Sequence, residues 1–124
     1  MELSLLFKSI VDQDNCPIVI CDLKHTIVYM NPVADQKYAK HGGKLLEGRS
    51  IFDCHNEHSN ELIRKVVEWF AADKSNNRVH TYFNKNDNKD VYMIALRDED
   101  GILIGYYEKH EYRDVDSTPL YEMK

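Results

Sequence analysis

One stretch restricts the fold of this chain more than any other. Residues Glu57–Ala72 place Leu62, Val66 and Trp69 on one i, i+4, i+7 series and Ile63, Val67 and Phe70 on the next. That period gathers into an apolar face when the segment winds as an α-helix. Asn56 or Ser59 is suited to cap its start, and the polar residues 73–77 break it. The chain beyond residue 77 has a different texture. Arg78–Asn84 (RVHTYFN), residues 91–97 (VYMIALR) and residues 102–112 (ILIGYYEKHEY) are aromatic and β-branched runs that read as strands. Polar turns separate them, and Gly101 in the second turn supplies the positive φ a tight hairpin needs.

The first half adds two more strands and two helices. Leu3, Leu6 and Ile10 recur at helical spacing, so residues 2–14 read as a short amphipathic helix, stopped by Asp14, Asn15 and Pro17. Residues 17–22 (PIVICD) and 26–30 (TIVYM) are close enough to form a hairpin. Asn31 and Pro32 then open a helix through Tyr38, which His41, Gly42 and Gly43 end. Residues 45–53 read as short turns around Gly48. The expected fold is α+β: a five-stranded antiparallel sheet with helices on one face and an N-terminal amphipathic helix. Residues 1–14 form that helix, a candidate dimerisation cap. Residues 15–113 form the domain and residues 114–124 a flexible tail.

With 124 residues, one domain is the default. The net charge of −5 argues against nucleic acid and against a basic membrane-binding patch. No apolar run approaches the ~20 residues of a membrane span. Three cysteines and no recognisable leader suit a reducing, cytoplasmic setting.

The order of elements, together with three stretches, resembles a PAS domain over residues 10–113. The stretches are residues 17–38 (PIVICDLKHTIVYMNPVADQKY), 45–59 (LLEGRSIFDCHNEHS) and 92–112 (YMIALRDEDGILIGYYEKHEY). The Cys54-His55 pair before the long helix is similar to a bacterial PAS subgroup in which Cys-His-Pro-Pro is common. Here Asn56 and Glu57 stand in place of the prolines. The resemblance implies a cavity between sheet and helices. PAS domains bind haem, flavin, organic acids or other small molecules there, or only dimerise, often through an N-terminal helix like residues 1–14. No kinase, cyclase or DNA-binding segment is expected after Arg113, so the chain is either a module of a larger signalling protein or works by protein contact.

Cys54, His55 and His58 are the candidate metal ligands, because thiolate and imidazole suit zinc or iron. The competing reading is that both histidines solvate the start of the long helix. In a haem-binding PAS domain, His58 and next His55 would meet the iron. The apolar cofactor or ligand pocket would take Ile20, Ile27, Phe52, Ile63, Val67, Phe83, Met93 and Ile104, which equally describe a packed core. The flavin-photochemical pattern is absent, since no Arg follows Cys54. Nucleophilic catalysis is not expected, because side chains adjacent in sequence do not face each other. Cys16 and Cys21 read as structural. The expected function is a non-catalytic sensory module with a small organic ligand, a homodimeric output and a downstream signalling protein. The alternatives are a haem or metal sensor through His58 and His55, and a purely structural dimerisation module.

Overall fold

The computed structural model describes residues 2–122. Helix α1 (Leu3–Asp12) is followed by β1 (Ile18–Asp22), β2 (Ile27–Met30) and α2 (Pro32–Lys37). Three short 3-10 turns, Ala39–His41, Gly43–Leu46 and Ile51–Cys54, lead to α3 (Glu57–Ala72). Strands β3 (Arg78–Asn84), β4 (Lys89–Arg97) and β5 (Leu103–Tyr112) complete one antiparallel sheet, ordered β2-β1-β5-β4-β3. Residues 114–122 form no helix or strand, and 123–124 of the expected tail lie outside the described residues.

Local chemistry sets the boundaries. Asn56 caps α3, its Oδ1 accepting from the Ser59 amide at 2.8 Å. Asn31 caps α2 in the same way, and Pro32 occupies the first helical position, where its missing N–H costs no bond. At the far end of α3, the Arg97 guanidinium reaches the carbonyls of Phe70, Asp73 and Asn76 at 2.6, 3.0 and 3.1 Å. It thus binds carbonyls at and just beyond the helix end, where the helix itself supplies no donors.

The core lies between α3, the α2 region and one face of the sheet. Val19, Cys21, Ile27, Met30, Ala34, Ile63, Val66, Phe70, Met93 and Tyr106 are buried there. Three β-bulges decide which strand residues reach it. The pairing of β1 with β2 skips Val28, that of β3 with β4 skips Thr81, and that of β4 with β5 skips Ile104. An extra residue on one strand reverses the inward–outward alternation beyond it.

Two expected pocket residues are displaced for this reason. Val79 packs on the core, but after the bulge at Thr81 it is Tyr82 that faces inward, and Phe83 turns outward beneath the Arg113 guanidinium, 3.9 Å from its ring. Ile104 is itself a bulged residue and is 53% exposed, while Leu103 packs on the core instead. Ile20 is a third correction. Val19 and Cys21 take the inward positions of β1, so Ile20 lies on the outer face with Leu96 and Tyr107.

That outer face is covered unevenly. The last turn of α1 brings Ile10 and Val11 into a groove with Ile18, Ile20 and Tyr107. The helix is held by Asn31 Nδ2, which donates to the Val11 carbonyl at 3.0 Å, and by the Tyr29 hydroxyl, which donates to Asp12. No residue of α1 is buried, and Leu3, Leu5, Leu6, Phe7 and Ile10 stand exposed.

Candidate functional site

Between the start of α3 and the inner face of β3, β4 and β5 the chain leaves a half-open cleft of about 450 Å3. Leu62, Ile63, Val91 and Met93 form its apolar wall. His55, His58 and Ser59 stand at the α3 end, and Thr81, Tyr82, Glu108 and His110 belong to the sheet side.

Glu108 is the unexpected member. It sits on β5, the central strand, paired with Val19 on one side and Met93 on the other. Its side chain is only 21% exposed. Its one hydrogen-bond partner among the described residues is His110 Nε2, at 3.4 Å. His110 is 5% exposed, and its Nδ1 is buried with no hydrogen-bond partner among the described residues. Buried polar groups are normally paired, so an unpaired imidazole nitrogen beside a weakly paired carboxylate marks a polar locus with unused bonding capacity.

Of the ten apolar and histidine positions expected at a pocket, His55, His58, Ile63 and Met93 line this cleft. Ile27 and Val67 belong to the packed core. Phe52 packs there too, with its ring 4.5 Å from that of His25 and 4.5 Å from the Arg64 guanidinium. Ile20, Phe83 and Ile104 are elsewhere, displaced by the strand phase and the bulges. The sequence reading missed Glu108 and His110, although their spacing from buried Tyr106 puts them on its face of the strand.

The proposed metal ligands do not converge. Among the described residues no three His, Cys, Asp or Glu side chains are gathered to hold an ion. His55 Nδ1 lies 3.0 Å from the Ile51 carbonyl, and Cys54 is exposed. Partial burial, and then the neighbouring Asp53 charge, push the Cys54 thiol up from its ordinary value. That favours the thiol over the nucleophilic thiolate. Cys21 is held more firmly in the thiol form, burial pushing it up to about 12. It neighbours the Tyr106 hydroxyl, which in turn meets His25 Nδ1 at 2.8 Å. Burial and then the Arg64 charge lower the His25 pKa, so this polar cluster favours a neutral imidazole.

Comparison with known proteins supplies the frame for this geometry. The family model of the PAS fold matches residues 11–110. The structure is similar to the C-terminal domain of a Streptococcus mutans protein (TM-score 0.68, 19% identity, covering 88% of this chain and 84% of that one). It is also similar to the PAS domain of a Colwellia psychrerythraea protein (TM-score 0.64, 14% identity, 90% and 97% covered). A sensory box sensor histidine kinase from Vibrio cholerae aligns with TM-score 0.58 and 17% identity over 87% of each chain. No curated protein matches the sequence. At these identities the structures speak for the fold, and the match over residues 11–110 speaks for kinship: the chain belongs to the PAS fold family.

Proposed function

We propose that this chain is a non-catalytic sensory PAS module that takes a small organic molecule into the cleft between α3 and the sheet. The observation that carries the reading is the cleft itself. Its volume of about 450 Å3 falls within the range of roughly 300–1,000 Å3 typical of small-molecule sites, and it joins an apolar wall to a few polar groups. The similar Vibrio cholerae protein is described as a sensor histidine kinase, which agrees with a signalling role.

The output we propose is a change in the packing of α1. A ligand that prefers one arrangement of α3 and the sheet shifts the population toward it. Exposed Leu3, Leu6, Phe7 and Ile10 on α1 offer a face that a second copy of the chain would bury, and a downstream signalling protein would read the altered pair.

The haem alternative rests on His58 and His55, which both line the cleft and would supply the iron ligand. The wall fits that group poorly, because Glu108 places a weakly paired carboxylate where the macrocycle needs apolar contact. The metal alternative has no assembled ligand set among the described residues.

Native mass spectrometry and a visible absorption scan of the purified protein, before and after hemin, test the reading. A retained organic mass without a visible band supports it. A band near 400 nm that disappears in His58→Ala replaces it with the haem reading. A ligand-free dimer, indifferent to hemin and dissociated by Leu6→Glu, leaves a dimerisation module.

A further inference from the structure

We propose that the molecule held in the cleft carries a cationic, hydrogen-bond-donating nitrogen, an ammonium on an apolar body, and that Glu108 receives it. The inference rests on the cleft being a ligand site, and it assigns the chemical class of the ligand.

Among the described residues, Glu108 is the only one lining the cleft that carries a fixed charge; no lysine or arginine lines it. Four-fifths of its side chain is buried, and its single partner among the described residues, His110 Nε2, is distant at 3.4 Å. A carboxylate in that position has lost most of its water and gained one long hydrogen bond in return.

His110 offers Glu108 a single long hydrogen bond. Its Nε2–H donates to Glu108, which leaves Nδ1 as the second ring nitrogen. Nδ1 is buried without a partner among the described residues. The Glu108 carboxylate therefore keeps accepting capacity that its one distant side-chain partner does not use.

Thr81, the bulged residue on β3 across β4 from them, uses its hydroxyl to donate to the Val91 carbonyl at 3.2 Å. The Thr81 donor is thus spent within the sheet and is not offered to Glu108. A carboxylate ligand would face Glu108 with like charge, and a neutral apolar ligand would cover it without compensation. An ammonium supplies both the charge and the donors, and forms the stronger, charge-assisted hydrogen bond. The net charge of the whole chain, −5, favours the approach of a cation as well.

The test uses the full chain, with amide NMR titration and three probes of matched shape: phenethylamine, phenylacetate and 2-phenylethanol. The expected result is saturable shifts at Val91, Met93, Glu108 and His110 with phenethylamine, and at least tenfold weaker binding of the other two. Glu108→Gln keeps the shape of the side chain and should abolish the preference for the amine. Leu62→Trp, at a partly exposed wall position, should block all three probes while leaving the carboxylate in place.

Equal or tighter binding of phenylacetate overturns the proposal, as does an amine preference that survives Glu108→Gln. If no probe shifts the cleft, the ligand class also falls. Native mass spectrometry of the untreated protein then separates the two readings. A retained mass without a basic nitrogen leaves the ligand site standing, and a ligand-free mass removes it as well.

Discussion

The side-chain oxygen of Asn31 accepts a hydrogen bond from the Ile18 amide at 2.9 Å, across thirteen residues of chain. The same oxygen caps α2 by accepting from Ala34 N at 3.0 Å. The amide nitrogen donates to the carbonyls of Val11 and Cys16, both at 3.0 Å. One fully buried side chain thereby joins the end of α1, the start of β1 and the start of α2. Asn31→Ala strands these groups, and a buried unpaired polar group costs about 1–3 kcal/mol. Urea unfolding should show a loss on the order of 3 kcal/mol. Asn31→Asp should recover part of it, because the carboxylate keeps both acceptor bonds but donates nothing to Val11 and Cys16. A loss below about 1 kcal/mol for the alanine variant would show that Asn31 is not the junction.

Arg97 performs a corresponding task at the C-terminal end of α3. Its Nε donates to Asn77 Oδ1 at 2.7 Å and its Nη1 to the Gly101 carbonyl at 3.0 Å, in addition to the bonds around the helix end. Arg97→Met keeps the aliphatic stem and removes every donor. Hydrogen exchange should then accelerate at the last turn of α3 and in the turn at residues 98–101, with a stability loss of about 1.5–3 kcal/mol. Unchanged exchange at Phe70 and Ala72 would contradict this role.

The sequence spacing of α3 matches its observed bounds because an exposed amphipathic helix with an Asn cap is specified by its own residues. The sheet is a different case. Val28, Thr81 and Ile104 interrupt the ladders, and each is a β-branched residue with ordinary strand character. Nothing in such a residue announces a bulge; the pairing strand decides it. Strict alternation therefore puts Phe83 and Ile104 in the core, and the continuous run IVICD leaves the phase of Ile20 ambiguous. Glu108 and His110 are legible in principle, since no bulge separates them from Tyr106. Their polarity argues against the buried face they occupy, which is where an unsatisfied group is most informative.

His25 adopts a left-handed backbone with φ of 65° and packs its ring on Phe52 and Tyr106. Burial lowers its pKa below the ordinary value of 6.5. A histidine held neutral in the folded state binds fewer protons than its unfolded counterpart between those two values, so stability falls as pH drops through that window. The stabilising contribution is present above pH 6.5 and is lost below the folded pKa. His25→Asn tolerates the left-handed backbone and does not titrate. Thermal melts from pH 7.5 to 5 should show a shallower decline for His25→Asn than for the parent. Parallel declines would show that His25 does not contribute to this pH dependence.

The bulge at Ile104 yields a paired prediction that separates the observed register from strict alternation. If β5 alternated without interruption, Ile104 and Met93 would both lie in the core, and truncating either would be costly. In the observed register Ile104 is 53% exposed and Met93 is 3% exposed. Met93→Ala removes a buried side chain beside the cleft and should cost about 2–5 kcal/mol. Ile104→Thr preserves β-branching on an exposed position and should stay within about 0.5 kcal/mol of the parent. Chemical denaturation of the two single variants measures both. A cost above about 2 kcal/mol for Ile104→Thr would place that side chain inside. Glu108 and His110 keep their inward phase in either register, because the ladder from Tyr106 to His110 is uninterrupted.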